Sequence, residues 1–283
     1  MTLKIIQLNC WTLQYIDNTI ELINTQKPDV VNLQEVVNTN KLFVDKVVDL
    51  SHYDGQDLFQ VIQKATGYKG YFAPSWSVTE PDGSLTHWGN AFLTNLDILD
   101  CGHFYDKYGG EYEIKPKEME PFYKSEDKIT RYISNYKKPL SFVWGLLQKD
   151  GIIFRNLTTH FTVAYNPEFD TLQSIQQAEQ VRNFVVRSKD IPTIFTADTN
   201  LMAKTLSIKE IIGSALQLES RNLANTCNKR IHPAFDPKKA FHLRDCLPID
   251  HIFQKGFVCT SIKVLEDVDY SDHCPVVAIF ETK

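Results

Sequence analysis

Apolar, β-branched runs recur along this chain from its first residues to its last, and polar turn residues, not a linker, separate them. Residues 3 to 9 (LKIIQLN) read as a buried strand. Asp17 or Asn18 can cap a helix that puts Ile16, Ile20 and Ile23 on one face before Pro28 ends it. The run DVVNLQEV that follows is a second strand. Strand, helix and strand in immediate succession predict a layered α/β start, with Glu35 emerging at the end of the second strand. In such sheets that is where ligand-facing residues collect. At the other end of the sequence LPIDHIF, VCTSIKVL and PVVAIFE are three further strands, the last introduced by Tyr-Ser-Asp-His-Cys-Pro.

The middle of the chain continues the alternation. GNAFLT (89 to 94), SFVWGLLQ (141 to 148) and IIFRNLTTH (152 to 160) are β-rich, and Lys149-Asp150-Gly151 joins the last two as a hairpin that ends at His160. Leu172, Ile175, Ala178, Val181 and Val185 repeat with helical spacing, which predicts a helix packed on a sheet. TIFTADTN then resumes a strand. No composition shift or repeat divides residues 1 to 283, so one α/β domain is expected, with two packed sheets and helices interspersed. The stretch from about 100 to 138 is rich in Tyr, Lys and Glu with little periodicity and reads as a long surface insertion.

Composition narrows the partners. Hydrophobic residues make up 43% and charged residues 23% of the 283, values that exclude a disordered chain. A formal charge of -5 argues against holding nucleic acid by bulk electrostatics and leaves a local basic groove open. The N-terminus lacks the zones of a signal peptide, and no apolar run is long enough to cross a bilayer. Six cysteines (Cys10, Cys101, Cys227, Cys246, Cys259, Cys274) form no CxxC pair. Free thiols, no zinc, a cytoplasmic location and a monomer are the expectations, and the even number of cysteines leaves disulfides open.

Asn9, Glu35, Asn90, His160, Asp198, Asn200, Asp250, Asp272 and His273 all sit where an apolar run gives way. Singly each has a bland reading: Asp198 with Asn200 can build an Asx-turn, and a lone histidine is more often structural. Recurrence is what resists that reading, since several strands end in groups that bind hard cations or move protons. A carboxylate such as Glu35 suits Mg²⁺, Asn side chains can donate to phosphate, and an Asp–His pair such as Asp250 and His273 fixes an imidazole tautomer. Together these types meet the needs of phosphodiester cleavage: an activated water, charge neutralisation and help for the departing oxygen. One proton-transfer group is worth ~10²- to 10⁴-fold.

The blocks NLQEV, TTH, TADTN, IDHIF and SDHCPV, in that order, with QLNCW and GNAFLT besides, resemble the signature blocks of the endonuclease/exonuclease/phosphatase superfamily, the pancreatic-deoxyribonuclease fold. The resemblance spans nearly the whole chain and implies a four-layered α/β/β/α sandwich with two mixed, mostly antiparallel sheets. It implies Glu35 as principal ligand of Mg²⁺, for which Mn²⁺ can substitute, with Asn9 beside it and Asp272 close. His160 and His273 would flank the scissile phosphate, Asp250 would orient His273, Asp198 would position or deprotonate the water, and Asn200 would hold the phosphate. Asn90 would stand behind the site near Trp88, and Lys138, Lys137 or Arg131 would supply the cation that touches phosphate. Ala197 replaces the usual Gly before the aspartate, and Thr199 the frequent Phe or Leu.

Asp-Thr-Asn-Leu resembles the branch that removes tyrosyl adducts from DNA 5′ ends. Leu-Asn-Cys-Trp and His-Phe-Thr-Val-Ala-Tyr-Asn are similar to the neutral sphingomyelinase branch. A nuclease or DNA-end-processing phosphodiesterase is the first expectation, supported by basic and aromatic residues of the insertion (Lys124, Lys128, Arg131, Tyr132, Tyr136) that can track a nucleic-acid backbone. A lipid phosphodiesterase or an inositol-phosphate phosphatase is the alternative, with Phe104, Tyr105 and their neighbours forming an interfacial surface. A non-catalytic binding protein of the same fold is the remaining one.

Overall fold

The computed structural model describes residues 1–39, 49–79, 83–106, 112–114, 140–164, 166–187, 190–213, 215–232, 235 and 247–283. Thirteen strands form among them: β1 (Thr2–Asn9), β2 (Val30–Val37), β3 (Lys69–Thr79), β4 (Leu85–Thr94), β5 (Asp97–Tyr105), β6 (Tyr112–Ile114), β7 (Ser141–Lys149), β8 (Ile152–His160), β9 (Thr193–Asp198), β10 (Gln217–Leu218), β11 (Asp250–Lys255), β12 (Phe257–Val264) and β13 (Val276–Thr282). One sheet runs β12-β13-β1-β2-β4-β3-β6 and the other β10-β11-β9-β8-β7-β5. The pairs β1/β2, β3/β6 and β8/β9 are parallel and the remaining pairs antiparallel, so both sheets are mixed and mostly antiparallel, as expected.

Strand alternation assigns the layers. Leu3, Ile5 and Val30 face across to Phe154, Ile194 and Ile252 in a core between the sheets. Ile6, Leu8, Val31 and Leu33 point the other way, onto α1 (Ile16–Gln26) and α2 (Leu58–Thr66). On the far side Leu157, Phe195 and Phe253 pack against α3 (Leu172–Val186) and α4 (Leu206–Ile212). The result is a four-layered sandwich. The β7–β8 hairpin turns on Asp150 and Gly151, with φ of 52° and 78°, the positive pair that a two-residue hairpin needs.

Several local expectations shift. Helix α1 starts after Tyr15 with no side-chain cap, so Asp17 lies in its first turn, where a negative charge favours the helix dipole, and Asn18 reaches the Asp269 carbonyl at 2.6 Å. Helix α3 opens with a capping box of Thr171 and Ser174, which turns Leu172 outward, 66% exposed. Its buried face is partly polar: Gln173 and Gln177 donate to the buried Asp106 carboxylate at 2.9 and 3.2 Å. The stretch expected as an insertion begins as regular structure, because residues 100–105 complete β5, paired to β7. Phe104 stacks on Phe142 with ring centroids 4.7 Å apart, so it belongs to the packing and not to an interfacial surface. Residues 112–114 pair with β3. The rest of that stretch, with Arg131, Lys137 and Lys138, lies outside the described residues. The five described cysteines are free. Among the described residues no helix is long and apolar enough to cross a membrane.

Candidate active site

Toward one end of the sandwich the layer between the sheets changes from apolar to polar. Along β1 the inward positions run Leu3, Ile5, Gln7, Asn9, and along β8 Phe154, Asn156, Thr158, His160. β2 gives Asn32 and Gln34 after Val30, β9 gives Thr196 and Asp198 after Ile194, and β11 places Asp250 beyond Ile252. All of these polar groups are buried, and they bond across the gap. Asn32 and Asn156 exchange amide hydrogen bonds of 2.9 and 2.7 Å. Gln34 donates to Thr158 Oγ1 at 2.8 Å and to Gln7 Oε1 at 3.0 Å, and Gln7 donates back to Gln34 Oε1 and to Asp250 Oδ1 at 3.2 Å.

The strand registers set His160, Asp198 and Asp250 side by side: His160 faces Asp198 across β8/β9, and Asp250 faces Asp198 across β11/β9. Asp198 Oδ2 lies 3.4 Å from His160 Nε2 and 3.7 Å from His273 Nε2, and accepts from Asn9 Nδ2 at 2.9 Å. The same Asn9 amide reaches Glu35 Oε1 at 3.2 Å. Asp198 Oδ1 accepts from the Asn200 backbone N–H at 2.9 Å, so the Asx-turn is present and serves the site instead of replacing it. Asn200 Nδ2 donates to the Phe161 carbonyl at 3.0 Å and meets His160 Nε2 at 2.9 Å. The Asn200 amide and the Asp198 carboxylate both meet that nitrogen, and the other, Nδ1, lies 3.8 Å from Glu35 Oε1. Asp250 Oδ2 accepts from His273 Nδ1 at 2.8 Å. Non-glycine residues with positive φ gather here, Trp11 to Leu13 after Asn9, Glu35 itself and Asn200, conformations held only where surrounding structure over-determines them.

Charge follows from this packing. Burial alone would raise the Asp198 carboxyl; the His160 and His273 rings, with the Asn9 and Asn200 donors, overturn that and hold it below the ordinary value. Burial likewise opposes a charge on His273, and the Asp250 carboxylate, helped by Asp198, wins and holds the imidazolium well above the usual histidine range. Burial pushes Asp272 up to about 7; His273 opposes this and the Glu35 charge adds to it.

These groups fit a hard divalent cation. Asp272 is pressed toward its protonated form by burial and by Glu35, an expense that a shared cation removes. The His160 Nδ1 atom beside Glu35 is buried without a hydrogen-bond partner, which suits a donor to a ligand's oxygen and not a ligand to the ion. Glu35, Asp272 and the Asn9 amide oxygen are oxygen donors of the kind Mg²⁺ takes along with water.

The remaining expected residues stand behind this cluster. Trp88 stacks on Trp76 and tilts against His160, with centroids 5.1 and 5.6 Å apart. Asn90 is fully buried, donates to the Ser141 carbonyl at 2.7 Å, and leaves its own carbonyl oxygen unpartnered. Lys138 falls outside the described residues. Sequence reasoning missed Gln7 and Gln34, and also residues 225 to 228. Thr226 Oγ1 accepts from the Ile249 and Asp250 backbone N–H groups at 3.1 Å each, and its carbonyl takes the Cys274 N–H at 2.7 Å. Asn228 N–H donates to the Asp272 carbonyl at 2.7 Å. Only the inward alternation of Gln7 and Gln34 carried a sequence signal.

Two layers of helix around two such sheets, with acids and histidines converging at one rim, make the endonuclease/exonuclease/phosphatase fold. A protein of that family from Bacteroides vulgatus superposes with a TM-score of 0.68 at 15% identity over 100% of both chains. The mannosyl-6-phosphatase of Bacteroides thetaiotaomicron does so with a TM-score of 0.63 at 17% identity over 99% of each chain. The catalytic domain of human Nocturnin with bound sulfate gives 0.61 at 16% identity, over 100% of this chain and 94% of that one. No family model matches the sequence, and no curated protein matches it.

Proposed function

We propose that the chain is a Mg²⁺-dependent hydrolase of phosphate esters, acting on phosphodiesters of nucleic acid by attack of water on phosphorus. The observation that carries this reading is the placement of the Asp198 carboxylate 3.4 and 3.7 Å from the Nε2 atoms of His160 and His273, with the Asn9 amide joining it to Glu35 and the Asp272 carboxyl near enough to feel both charges. Glu35, Asp272 and Asn9 would hold the ion. Bound there, Mg²⁺ supplies positive charge to the phosphoryl oxygens and polarises the bonds at phosphorus.

The protein's own groups divide the rest of the work. Asp198, kept ionised by its two histidines, orients the water and receives its proton. His273, kept protonated by Asp250, donates to a phosphoryl oxygen or to the departing oxygen. His160 offers its Nδ1 proton to the phosphoryl group, and Asn200 fixes the His160 ring. Trp88 walls the ring on its other side. Gln7 and Thr226 hold Asp250 where it meets His273.

One observation favours a second substrate class. Phe169, Leu172 and Leu206, 66%, 66% and 62% exposed, lie on segments that follow His160 and Asn200, and these segments are tied together by the Asp170 carboxylate, which accepts from the Leu206 and Ser207 N–H groups. Exposed apolar side chains on these joined segments suit an amphiphilic phosphodiester, the lipid alternative. A panel of single- and double-stranded DNA, 5′-tyrosyl DNA, RNA, sphingomyelin and phosphoinositides, each with Mg²⁺, Mn²⁺ and chelator, tests the reading. Release from nucleic acid that chelator abolishes is expected. Turnover confined to lipids moves the substrate, and absence of metal-dependent turnover on every ester refutes the proposal.

A further inference from the structure

A second set of ligating side chains shares one residue with the catalytic cluster. Cys227, His232 and His273 present one ligand atom each, all within 4.8 Å of one another. Cys227 Sγ lies 4.0 Å from His273 Nδ1, and the His232 ring meets the His273 ring edge-on with centroids 5.4 Å apart. Two ligands of a tetrahedral zinc, one sulfur at about 2.3 Å and one nitrogen at about 2.0–2.1 Å, stand roughly 3.6 Å apart. The thiol and imidazole are therefore within a few tenths of an ångström of that spacing.

The backbone holds the three in place. Cys227 and His273 face each other across an isolated antiparallel bridge. The turn that carries His232 is closed by its N–H on the Asn228 carbonyl at 2.8 Å. It is pinned to the segment before His273 by Asn228 Nδ2 and Arg230 Nη2 on Asp269, at 2.7 and 2.6 Å. A sulfur and two imidazoles form the soft donor set that selects Zn²⁺ over Mg²⁺. No CxxC spacing announces such a site, because its members are brought together by folding from separate segments of the sequence. The absence of that spacing is why zinc was not expected.

We propose that Cys227, His232 and His273 form a Zn²⁺ site, distinct from the Mg²⁺ position, whose occupancy inhibits the hydrolysis. Zinc takes the lone pair of His273 Nδ1, the atom that otherwise donates to Asp250 at 2.8 Å. Binding releases the Cys227 thiol proton and the Nδ1 proton, and it uncouples Asp250 from His273. The site itself stands on the geometry above, and only its inhibitory effect rests on the proposed reaction.

Titration with Co²⁺ reads the site without any substrate, through the thiolate-to-cobalt charge-transfer absorption. Competition with a chromophoric chelator then gives the Zn²⁺ affinity. The expected result is one Co²⁺-dependent band, absent in C227S, and Zn²⁺ binding weakened at least ~10-fold in both C227S and H232N. With Mg²⁺ present, Zn²⁺ should then suppress wild-type hydrolysis and leave that of C227S and H232N largely intact. A band that persists in C227S, or is missing from the wild type, overturns the site. Zinc-loaded protein that hydrolyses at the full rate overturns the inhibition. A band in a protein with no Mg²⁺-dependent turnover counts against the proposed reaction alone and leaves the site standing.

Discussion

Replacing Asp250 by Asn tests the proposed acid–base arrangement most directly, because the change conserves shape and removes one charge. Both carboxylate oxygens face donors, Oδ2 toward His273 Nδ1 at 2.8 Å and Oδ1 toward Gln7 Nε2 at 3.2 Å. An amide has one oxygen and one NH₂, so whichever way Asn turns, its NH₂ meets a donor. If the NH₂ faces His273, the ring must accept at Nδ1, carry its proton on Nε2 and lose its charge. If it faces Gln7, a buried donor is left unsatisfied. A hydrogen bond to a charged group contributes about 1.5–3 kcal/mol, which corresponds to roughly 10- to 150-fold in rate when it is lost from the transition state. The loss depends on pH, because Asp250 is a main cause of the raised His273 pKa. Without it the imidazolium gives up its proton earlier, so the alkaline limb of kcat/KM moves to lower pH and the deficit is larger at about pH 8 than at about pH 6. The stability gap runs the other way with pH. A histidine with a raised folded pKa stabilises fully below its unfolded pKa and loses that contribution as pH rises through the folded value, so the gap between wild type and D250N should narrow in alkali. Rates on a chromogenic phosphodiester from about pH 5 to about pH 9, with NMR titration of labelled imidazole, provide the assay. An alkaline limb that does not move, with a rate loss under about 3-fold, would refute the dyad.

Glu35→Gln should weaken Mg²⁺ binding at least ~10-fold by calorimetry and abolish hydrolysis at ordinary Mg²⁺ levels, while the metal-free melting temperature holds or rises because Glu35 no longer repels Asp272. Because the Asp272 carboxyl sits at about 7 and must lose its proton to bind metal, Mg²⁺ affinity should fall as pH drops below that value, by up to about tenfold per pH unit, and level off above it. Asp272→Asn should flatten this dependence. Asn32→Leu alone strands the Asn156 amide in the core and should cost about 1–3 kcal/mol in urea unfolding, whereas Asn32→Leu with Asn156→Leu should recover most of that loss.

The fold was legible where the alternation was clean. β1, β2, β7, β8, β9 and β13 lie within about two residues of their expected bounds. β3 was not legible, because Pro74 interrupts KGYFAPSWSVT and a proline argues against an interior strand. The structure accommodates it at a register shift between Pro74 and Trp76. The outward turn of Leu172 was hidden because helical spacing reports a face without saying which of two adjacent stripes is buried; Gln173 and Gln177, needed under Asp106, decide it. Of the site, the acids and histidines at strand ends were visible since β8 and β9 stop on His160 and Asp198 and β11 starts on Asp250. Thr226, Asn228, Cys227 and His232 were not, as they lie on irregular segments whose contacts are long-range and follow no period.

The buried amides explain why the rim is rigid enough to hold charge. Gln7, Gln34, Asn32, Asn156, Thr158 and Thr196 occupy positions that apolar residues fill elsewhere between the sheets, and replacing polar pairs by apolar ones is often neutral for stability. Their presence therefore calls for a reason other than stability. An apolar layer would leave Asp250 Oδ1 without the Gln7 donor and would let the two sheets slide by a rotamer. Gln34, bonded at once to Gln7 on its own sheet and to Thr158 on the other, fixes the sheets relative to each other next to the site. Asn9 and Glu35 come from one sheet, and His160, Asp198 and Asp250 from the other. An error of about 1 Å between the sheets would separate the metal-holding carboxylates from the proton-moving pair, a displacement that can cost about 10²-fold in rate. The polar layer thus acts as the hinge pin of the site, and its hydrogen bonds set the distance on which the proposed chemistry depends.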